Sequence, residues 1–354
     1  MSEIFRKARS HFEQKLPFVV YCKPNSDKII ALFQKNDTLF EIENTDACGF
    51  AFVSFDNLIR IFIPENQSDI YFENKEKRDF YGTKNNASEI NVNAKDNFEK
   101  LVFDGIEAIK NKQFEKVVLS RKIEVELTDF DLEVVFQKLV SNYKNTFNYC
   151  FYHPKMGLWM GATPEQLVKV DDNVIKTVSL AGTQVFNSSK STIWEQKEIK
   201  EQQIVTDFIK ITLEKISDKI TISAPYTFKA GNLVHLKSDI EAKISDEKSI
   251  VEITNLLHPT PAVCGFPSIE AQKFILNNEN YSREFYSGFV GEWQKDFVTF
   301  KPNTSDLFVN LRCAKIENKT ASIFVGCGVT NESNPEKEFF ETQNKMQTMF
   351  SILS

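Results

Sequence analysis

Two glutamate pairs with three-residue spacing carry the most specific chemistry in this chain of 354 residues. Glu338 and Glu341 lie in a closing segment where Asn334 offers an N-cap acceptor and Pro335 suits the first helical position, so a helix is expected over Asn334–Leu353. At about 100° per residue, Glu338, Glu341 and Lys345 share a face with the apolar Met349 and Ile352. Glu198 and Glu201 belong to a second helix, expected to open at Thr192 through a capping box with Glu195, and they project along the side of Val205, Phe208, Ile209 and Ile216. An ionised carboxylate taken out of water costs on the order of several kcal/mol unless a positive group meets it. Four converging carboxylates would need a cation, and an oxygen-only set with no nearby His or Cys suits Mg²⁺, which keeps waters and shares itself with an anionic substrate. Helices rotated slightly would leave the glutamates at a wet boundary beside lysines. For one pair alone that is the commoner arrangement; the repetition favours the cation.

The elements that must position these pairs alternate between strand and helix. Residues 1 to about 82 hold short strand-like runs such as Phe18–Tyr21, Ile29–Phe33 and Leu58–Ile63, and the polar, Asn-rich Thr83–Asn97 reads as a surface connection. Helical spacing of Leu101, Val102, Gly105, Ile106 and Ile109 predicts a helix over Phe98–Lys110, followed at once by an alternating strand, Lys116–Leu127. A helix at Leu132–Tyr143 leads to strands Asn148–Tyr152, Leu158–Ala162, Leu167–Val170 and Val174–Leu180. After the helix of Glu198 come strands Lys219–Phe228 and Leu233–Ile244, helices Ile250–Leu257 and Ile269–Leu276, and strands Glu284–Trp293, Phe297–Phe300, Leu307–Ile316 and Ala321–Gly328. Groups of adjacent strands set between helices indicate an α+β architecture with large antiparallel sheets. Eight of the twelve glycines, Gly161, Gly182, Gly231, Gly265, Gly288, Gly291, Gly326 and Gly328, fall in a few compact stretches that mark ligand contacts or tight turns. Neither G-x-G-x-x-G nor G-x-x-x-x-G-K occurs after a strand.

Composition narrows the function classes. The 43 basic and 49 acidic side chains give a net charge of −6, and no Lys/Arg block alternates with aromatics, which argues against a nucleic-acid partner. The N-terminal MSEIFRKARSHFEQK is charged throughout, so no signal peptide or membrane span is expected there and a cytoplasmic location follows. The six cysteines lack C-x-x-C spacing and mostly lie in apolar runs, as reduced core residues do.

Eight stretches resemble the chorismate-utilising enzymes, which include isochorismate, salicylate, anthranilate and aminodeoxychorismate synthases: EKVVLSR (115–121), GATPEQL (161–167), SLAGT (179–183), KEIKEQQIVTD (197–207), LLHPTPAVCGFP (256–267), SREFYSGFVGEW (282–293), NLRCAKI (310–316) and VGCGVTNESNPEKEFFETQNKM (325–346). They follow the family's order over about the last 250 residues, and the first 95 carry no comparable match. The resemblance implies a four-layer α/β/β/α sandwich with the active site between its sheets, residues 1–95 forming a divergent N-terminal part of the fold and 96–354 the catalytic region.

By the same resemblance, Glu201 and Glu341 match direct Mg²⁺ ligands, and Glu198 and Glu338 match carboxylates that hold the metal's waters. Lys116 matches a lysine that activates water to attack C2 of the ring, which requires burial or a nearby cation to hold it partly neutral. Glu165 matches the general acid for the departing C4 hydroxyl, and an enclosed site beside other carboxylates is expected to raise its pKa. Arg312, in phase with Phe308, Ala314 and Ile316 along the expected strand, matches the residue holding the enolpyruvyl carboxylate. Tyr286 and Lys345 match carboxylate contacts, His235 a pocket wall, and Gly182, Thr183 and Gly328 backbone or hydroxyl contacts. Taken singly, Lys116 would read as a solvated strand residue, Glu165 as part of a Thr-Pro-Glu turn, and Tyr286 and His235 as core.

Lysine at 116 fits the water-using members, and Ala181 stands where aminodeoxychorismate synthases carry a nucleophilic lysine, so amination is disfavoured and no glutamine amidotransferase partner is expected. Ala262-Val263 resembles the isochorismate type rather than the salicylate synthases, which place a threonine close by. Two residues depart from the family pattern: Gln202 replaces a His and Glu284 a Gly. The expected protein is a monomeric, Mg²⁺-dependent isochorismate synthase serving menaquinone or, second, siderophore synthesis. Salicylate synthase and a non-catalytic chorismate-binding subunit are the alternatives.

Overall fold

Apolar runs too continuous to leave a polar face, such as FVVYC at Phe18–Cys22 and GFAFV at Gly49–Val53, must be covered on both sides, and every residue of both strands is buried. The computed structural model, which describes residues 2–42, 47–75, 91–186, 192–230, 233–244 and 249–353, places them in two face-to-face antiparallel sheets. The first sheet runs Gly265–Phe266, Lys116–Glu126, Thr320–Val329, Cys313–Glu317, Gly157–Thr163, Phe147–His153, Phe18–Cys22, Lys28–Gln34, Ser68–Asn74. The second runs Lys219–Ile222, Leu233–Lys243, Val174–Val185, Gln166–Asp171, Thr304–Val309, Phe289–Trp293, Gly49–Val53, Arg60–Pro64, Phe40–Glu41, with Tyr226–Ala230 also paired to Leu233–Lys243.

The helices are α1 (Glu3–Glu13), α2 (Val92–Lys110), α3 (Leu132–Asn142), α4 (Gln196–Leu213), α5 (Ile250–Leu257), α6 (Ser268–Asn278) and α7 (Pro335–Leu353). On the first sheet, α1, α3 and α7 bury Phe5, Leu139, Met346 and Met349 against Val20, Cys150 and Met160, while α2 and α6 bury Val102 and Ile275 against Val117 and Val329. On the second sheet, α4 and α5 bury Ile209 and Ile253 against Val168 and Leu307. Aromatic rings, among them Tyr21, Phe52, Tyr149, Trp159 and Phe285, fill the space between the sheets. The order of layers is α/β/β/α, as the family resemblance implies. All six cysteines are free, five of them buried, and among the described residues no helix is long and apolar enough to cross a membrane.

The first 75 residues edge both sheets: Phe18–Cys22 pairs with Phe147–His153, and Gly49–Val53 with Phe289–Trp293. Lys23 ties the two sheets together, its Nζ lying 2.7, 2.9 and 3.2 Å from carboxylate oxygens of Glu292, Asp296 and Asp306. The Tyr21 hydroxyl donates to the same Glu292 at 2.7 Å.

Several boundaries differ from expectation. Helix α1 was not anticipated, because only Ile4, Phe5 and Ala8 are buried in a segment otherwise dominated by charged and polar residues. Helix α2 begins at Val92 rather than Phe98, with the Asn91 side chain accepting from Ala94 N–H, so the end of the polar Thr83–Asn97 stretch is helical; residues 83–90 lie outside the described residues, as does Gly231. Helix α4 begins at Gln196, with the capping box formed by Glu195 and Glu198 rather than by Thr192 and Glu195. Lys219–Phe228 is two strands, Phe297–Phe300 is a turn and the residue after it, and the strand expected from Glu284 starts at Phe289. The strand expected over Leu307–Ile316 breaks at Asn310–Arg312, where the chain crosses from the second sheet to the first.

Candidate active site

Helices α4 and α7 belong to opposite outer layers, yet their first turns meet over a cleft of about 860 Å³ lined by Glu198, Glu201, Glu338 and Glu341. Helix α7 opens on its expected cap, Lys337 N–H donating to Asn334 Oδ1 at 3.1 Å, and in α4 Glu198 itself folds back to accept from the Glu195 N–H at 2.7 Å. Each carboxylate has a polar partner. Glu201 meets Lys116 Nζ at 3.1 Å, Glu341 accepts from Lys345 at 2.7 Å, Glu338 accepts from Lys197 and Glu198 accepts from Gln184 at 3.0 Å. The two arrangements open at the sequence level therefore merge, since the glutamates converge but do so beside lysines. Among the described residues no three acidic or metal-ligating side chains stand together at metal-holding distance.

The cleft shares Thr183 and Glu201 with a smaller inner pocket, about 60 Å³, between the sheets. Glu165, Gly182, His235, Tyr286, Arg312, Gly328 and Lys345 line it. Lys116 is fully buried behind Glu201, because it points away from Val117 and Leu119, which pack under α2 and α6, and into the space between the sheets, where Glu201 and Gly328 close over it. Gly328 permits this contact: a Cβ there would lie 2.0 Å from Glu201 Oε1 and 3.2 Å from Lys116 Cε. Gly182 adopts a left-handed φ of +70°, and its carbonyl accepts from His235 Nδ1–H at 3.0 Å. All thirteen residues singled out in the sequence thus gather in the cleft and pocket or touch them.

Electrostatics sort these groups. Burial pushes the Glu165 carboxyl up to about 7, against the pull of Lys116, Lys345 and Arg312. The enclosure expected from the sequence supplies this rise, whereas the expected carboxylate neighbours do not, since the charged neighbours of Glu165 are cations. Burial also works on Glu201, but Lys116, Lys197 and Lys345 outweigh it and hold that carboxyl at about 2. His235 is pushed down to about 3 by burial, then by Arg312 and Lys345, so its imidazole is neutral with Nδ1–H engaged and a buried Nε2 that has no partner among the described residues. Glu338 rises to about 7 through burial and the Glu341 carboxylate.

Arg312 faces the pocket for a reason other than strand alternation. Phe308 and Ala314 lie in different sheets, and Arg312 sits at the crossover with a left-handed φ of +49°. The two departures from the family pattern also resolve. Gln202 Nε2 donates to Ser179, Thr206 and Ser238 hydroxyls at 2.7, 2.9 and 3.1 Å, fixing α4 to the second sheet one residue after Glu201. Glu284 takes a left-handed φ of +48°, where glycine would be unstrained, and its carboxylate accepts from Lys315 at 2.9 Å.

Three bracing residues escaped the sequence reading although each lies inside a quoted motif. Lys197 joins α4 to α7 through Glu338. Arg283, paired with Glu279, donates to the carbonyls of Val118 and Val263 at 2.6 and 3.0 Å, and both of those residues line the inner pocket. Asn310 is wholly buried and accepts from the Tyr149 hydroxyl at 2.6 Å. A lysine or asparagine in a motif gives no sign of its partner until the layers are assembled.

The architecture recurs in a solved structure, MenF from Escherichia coli, described as a menaquinone-specific isochorismate synthase: the TM-score is 0.79 at 19% identity, covering 96% of this chain and 89% of that one. The family model for chorismate binding enzymes matches residues 53–354, and the chain belongs to that family. It is 30% identical over 268 residues to isochorismate synthase EntC from Escherichia coli K12, covering 72% of this chain and 66% of EntC. It is 29% identical over 273 residues to isochorismate synthase MenF from Bacillus subtilis, covering 73% of this chain and 56% of that relative. The chain thus spans just under two thirds of EntC and a little over half of the Bacillus protein.

Proposed function

We propose that this chain is an isochorismate synthase, adding water at C2 of chorismate and releasing the C4 hydroxyl, for menaquinone or a catechol siderophore. The observation that carries the reading is a buried lysine and a buried carboxyl raised to about 7, set around one pocket rich in cations. The names of the EntC and MenF relatives support it. Residues 96–354 supply the chemistry and 1–95 complete the two sheets, in a cytoplasmic monomer without an amidotransferase subunit.

The cleft glutamates fit Mg²⁺. Glu338 Oε2 is buried without a hydrogen-bond partner among the described residues, and Glu338 and Glu341 repel each other, which is the charge imbalance that a hard cation relieves. Glu201 and Glu341 would hold the ion directly, with Glu198 and Glu338 acting through its waters. Bound there, it would offset the charge of the substrate's ring carboxylate. Arg312, Tyr286 and Lys345 bind the remaining carboxylate charge. Lys116 Nζ takes a proton from the attacking water on one face of the ring, and the Glu165 carboxyl gives a proton to the departing hydroxyl on the other, so that one water enters and one leaves. Lys116 can accept that proton only as the neutral amine, its own proton having left and its pair with Glu201 having opened. An inner pocket of about 60 Å³ must also widen, since small-molecule sites run to roughly 300 Å³ or more.

Product analysis with chorismate, in Mg²⁺ and again in EDTA, tests the reading. Isochorismate approaching an equilibrium mixture only with Mg²⁺ is expected. Salicylate plus pyruvate would reassign the chain to salicylate synthase, and absence of any turnover would make it a binding subunit.

Gly328→Ala bears on the metal reading. The new methyl group displaces the Glu201 carboxylate end, a flexible tip, rather than backbone. The Mg²⁺ concentration for half-maximal turnover should therefore rise by about 10–100-fold while the melting temperature stays near wild type. An unchanged Mg²⁺ dependence would remove Glu201 from the ligand set.

A further inference from the structure

We infer that Ser287 is a further substrate-contacting residue, whose hydroxyl donates a hydrogen bond to a substrate carboxylate beside Tyr286 and Arg312. The inference rests on the chorismate reading above and adds a specificity group to the same pocket.

Three observations converge on this serine. Its side chain is 1% exposed, and Oγ is buried with no hydrogen-bond partner among the described residues. The Tyr286 phenol is a polar neighbour and feels Ser287 as a weak hydrogen-bond donor, but the contact falls short of full hydrogen-bond geometry and leaves Oγ unsatisfied. Ser287 lines the inner pocket. Its backbone is left-handed, with φ +63°, a conformation that glycine adopts freely and serine does not. A serine here carries backbone strain and an unsatisfied hydroxyl at once, and such paired costs concentrate where a ligand removes one of them.

The backbone that carries the hydroxyl is fixed by its surroundings. Ser287 N–H donates to the Asn310 carbonyl at 2.9 Å, Asn310 N–H donates to the Gly288 carbonyl at 2.8 Å, and Asn310 Nδ2 donates to the Phe285 carbonyl at 2.8 Å. On the other side Gly288 is pressed against Val53, where a Cβ would come within 1.9 Å of the carbonyl oxygen. The turn cannot rotate to find Oγ another partner. The neighbouring pocket groups Tyr286, Arg312 and Lys345 all offer donors, so the missing partner is an acceptor, and a carboxylate has the capacity to satisfy several donors together.

Ser287→Ala and Ser287→Gly test this, because glycine removes the hydroxyl and the backbone strain together. Both variants are expected to raise KM for chorismate about tenfold, with kcat within about threefold of wild type, and Ser287→Gly to melt no lower than wild type. Equilibrium binding of chorismate in Mg²⁺ should weaken in parallel. Unchanged KM and binding in both variants would overturn the assignment, as would a weakening that follows a lowered melting temperature. If wild type binds chorismate without converting it, the synthase reading fails while the binding comparison still decides Ser287. A wild-type chain that neither binds nor converts chorismate overturns both.

Discussion

Replacing Lys116 with alanine is expected to lower the turnover of chorismate by about 10²–10⁴-fold, the range for loss of a positioned general base, while chorismate binding in Mg²⁺ stays within a few-fold of wild type. The asymmetry follows from placement. Lys116 sits behind Glu201, whereas Arg312, Tyr286 and Lys345 line the inner pocket where substrate charge would be held. Removing one member of a buried ion pair ordinarily costs about 3–5 kcal/mol because the other is stranded. Here Lys197 and Lys345 also act on Glu201, which borders the open cleft, so the carboxylate keeps both counter-charge and access to water. Single-turnover rates and equilibrium binding on the same preparation separate the two effects. Turnover unchanged by the substitution would remove Lys116 as the base, and loss of binding in proportion to turnover would make it a binding residue.

Glu165→Gln is expected to lower turnover by a similar factor and, independently, to stabilise the fold at alkaline pH. Burial raises this carboxyl from 4.5 to about 7, so the folded protein resists ionisation that the unfolded chain accepts. The penalty is absent below pH 4.5, grows as pH rises to about 7 and is complete above it. At pH 8 the substitution should therefore add about 3 kcal/mol to the unfolding free energy, shrinking to about 1 kcal/mol at pH 5. The same shift gives wild-type turnover a descending limb through about pH 7, where the proton donor is lost. Denaturant unfolding at the two pH values and a pH–rate profile check both. A stability difference independent of pH would mean that the carboxyl titrates normally.

These predictions draw on residues of very different legibility. The glutamate quartet was readable because a helix repeats about every 3.6 residues, so caps at Asn334 and near Glu195 set which side chains share a face. The α+β class followed from groups of adjacent strands set between helices, and the four-layer sandwich from what the family resemblance implies. What stayed hidden depends on contacts between elements distant in sequence. Lys116 looks solvated on its own strand and becomes buried only when the second sheet and Glu201 of α4 close over its face. Arg312 looked like one step in a regular alternation, whereas it marks the point where the chain changes sheets. Glu165 gave no hint that its neighbours are cations, since they come from three other elements. Helix α1 and the early start of α2 were missed where polar residues dilute the apolar spacing.

The pairing of Gly49–Val53 with Phe289–Trp293 and of Phe18–Cys22 with Phe147–His153 bears on how the protein comes into being during synthesis. Neither sheet can be completed by the portion of chain that leaves the ribosome first, because its strands wait for partners made about 130 and 240 residues later. Non-local topology of this kind folds slowly and leaves unpaired strand edges exposed in the interim. The nascent first third, rich in apolar strands, is therefore the stretch that depends most on chaperone protection, and a premature stop before Phe289 would leave Gly49–Val53 as an open edge primed for aggregation.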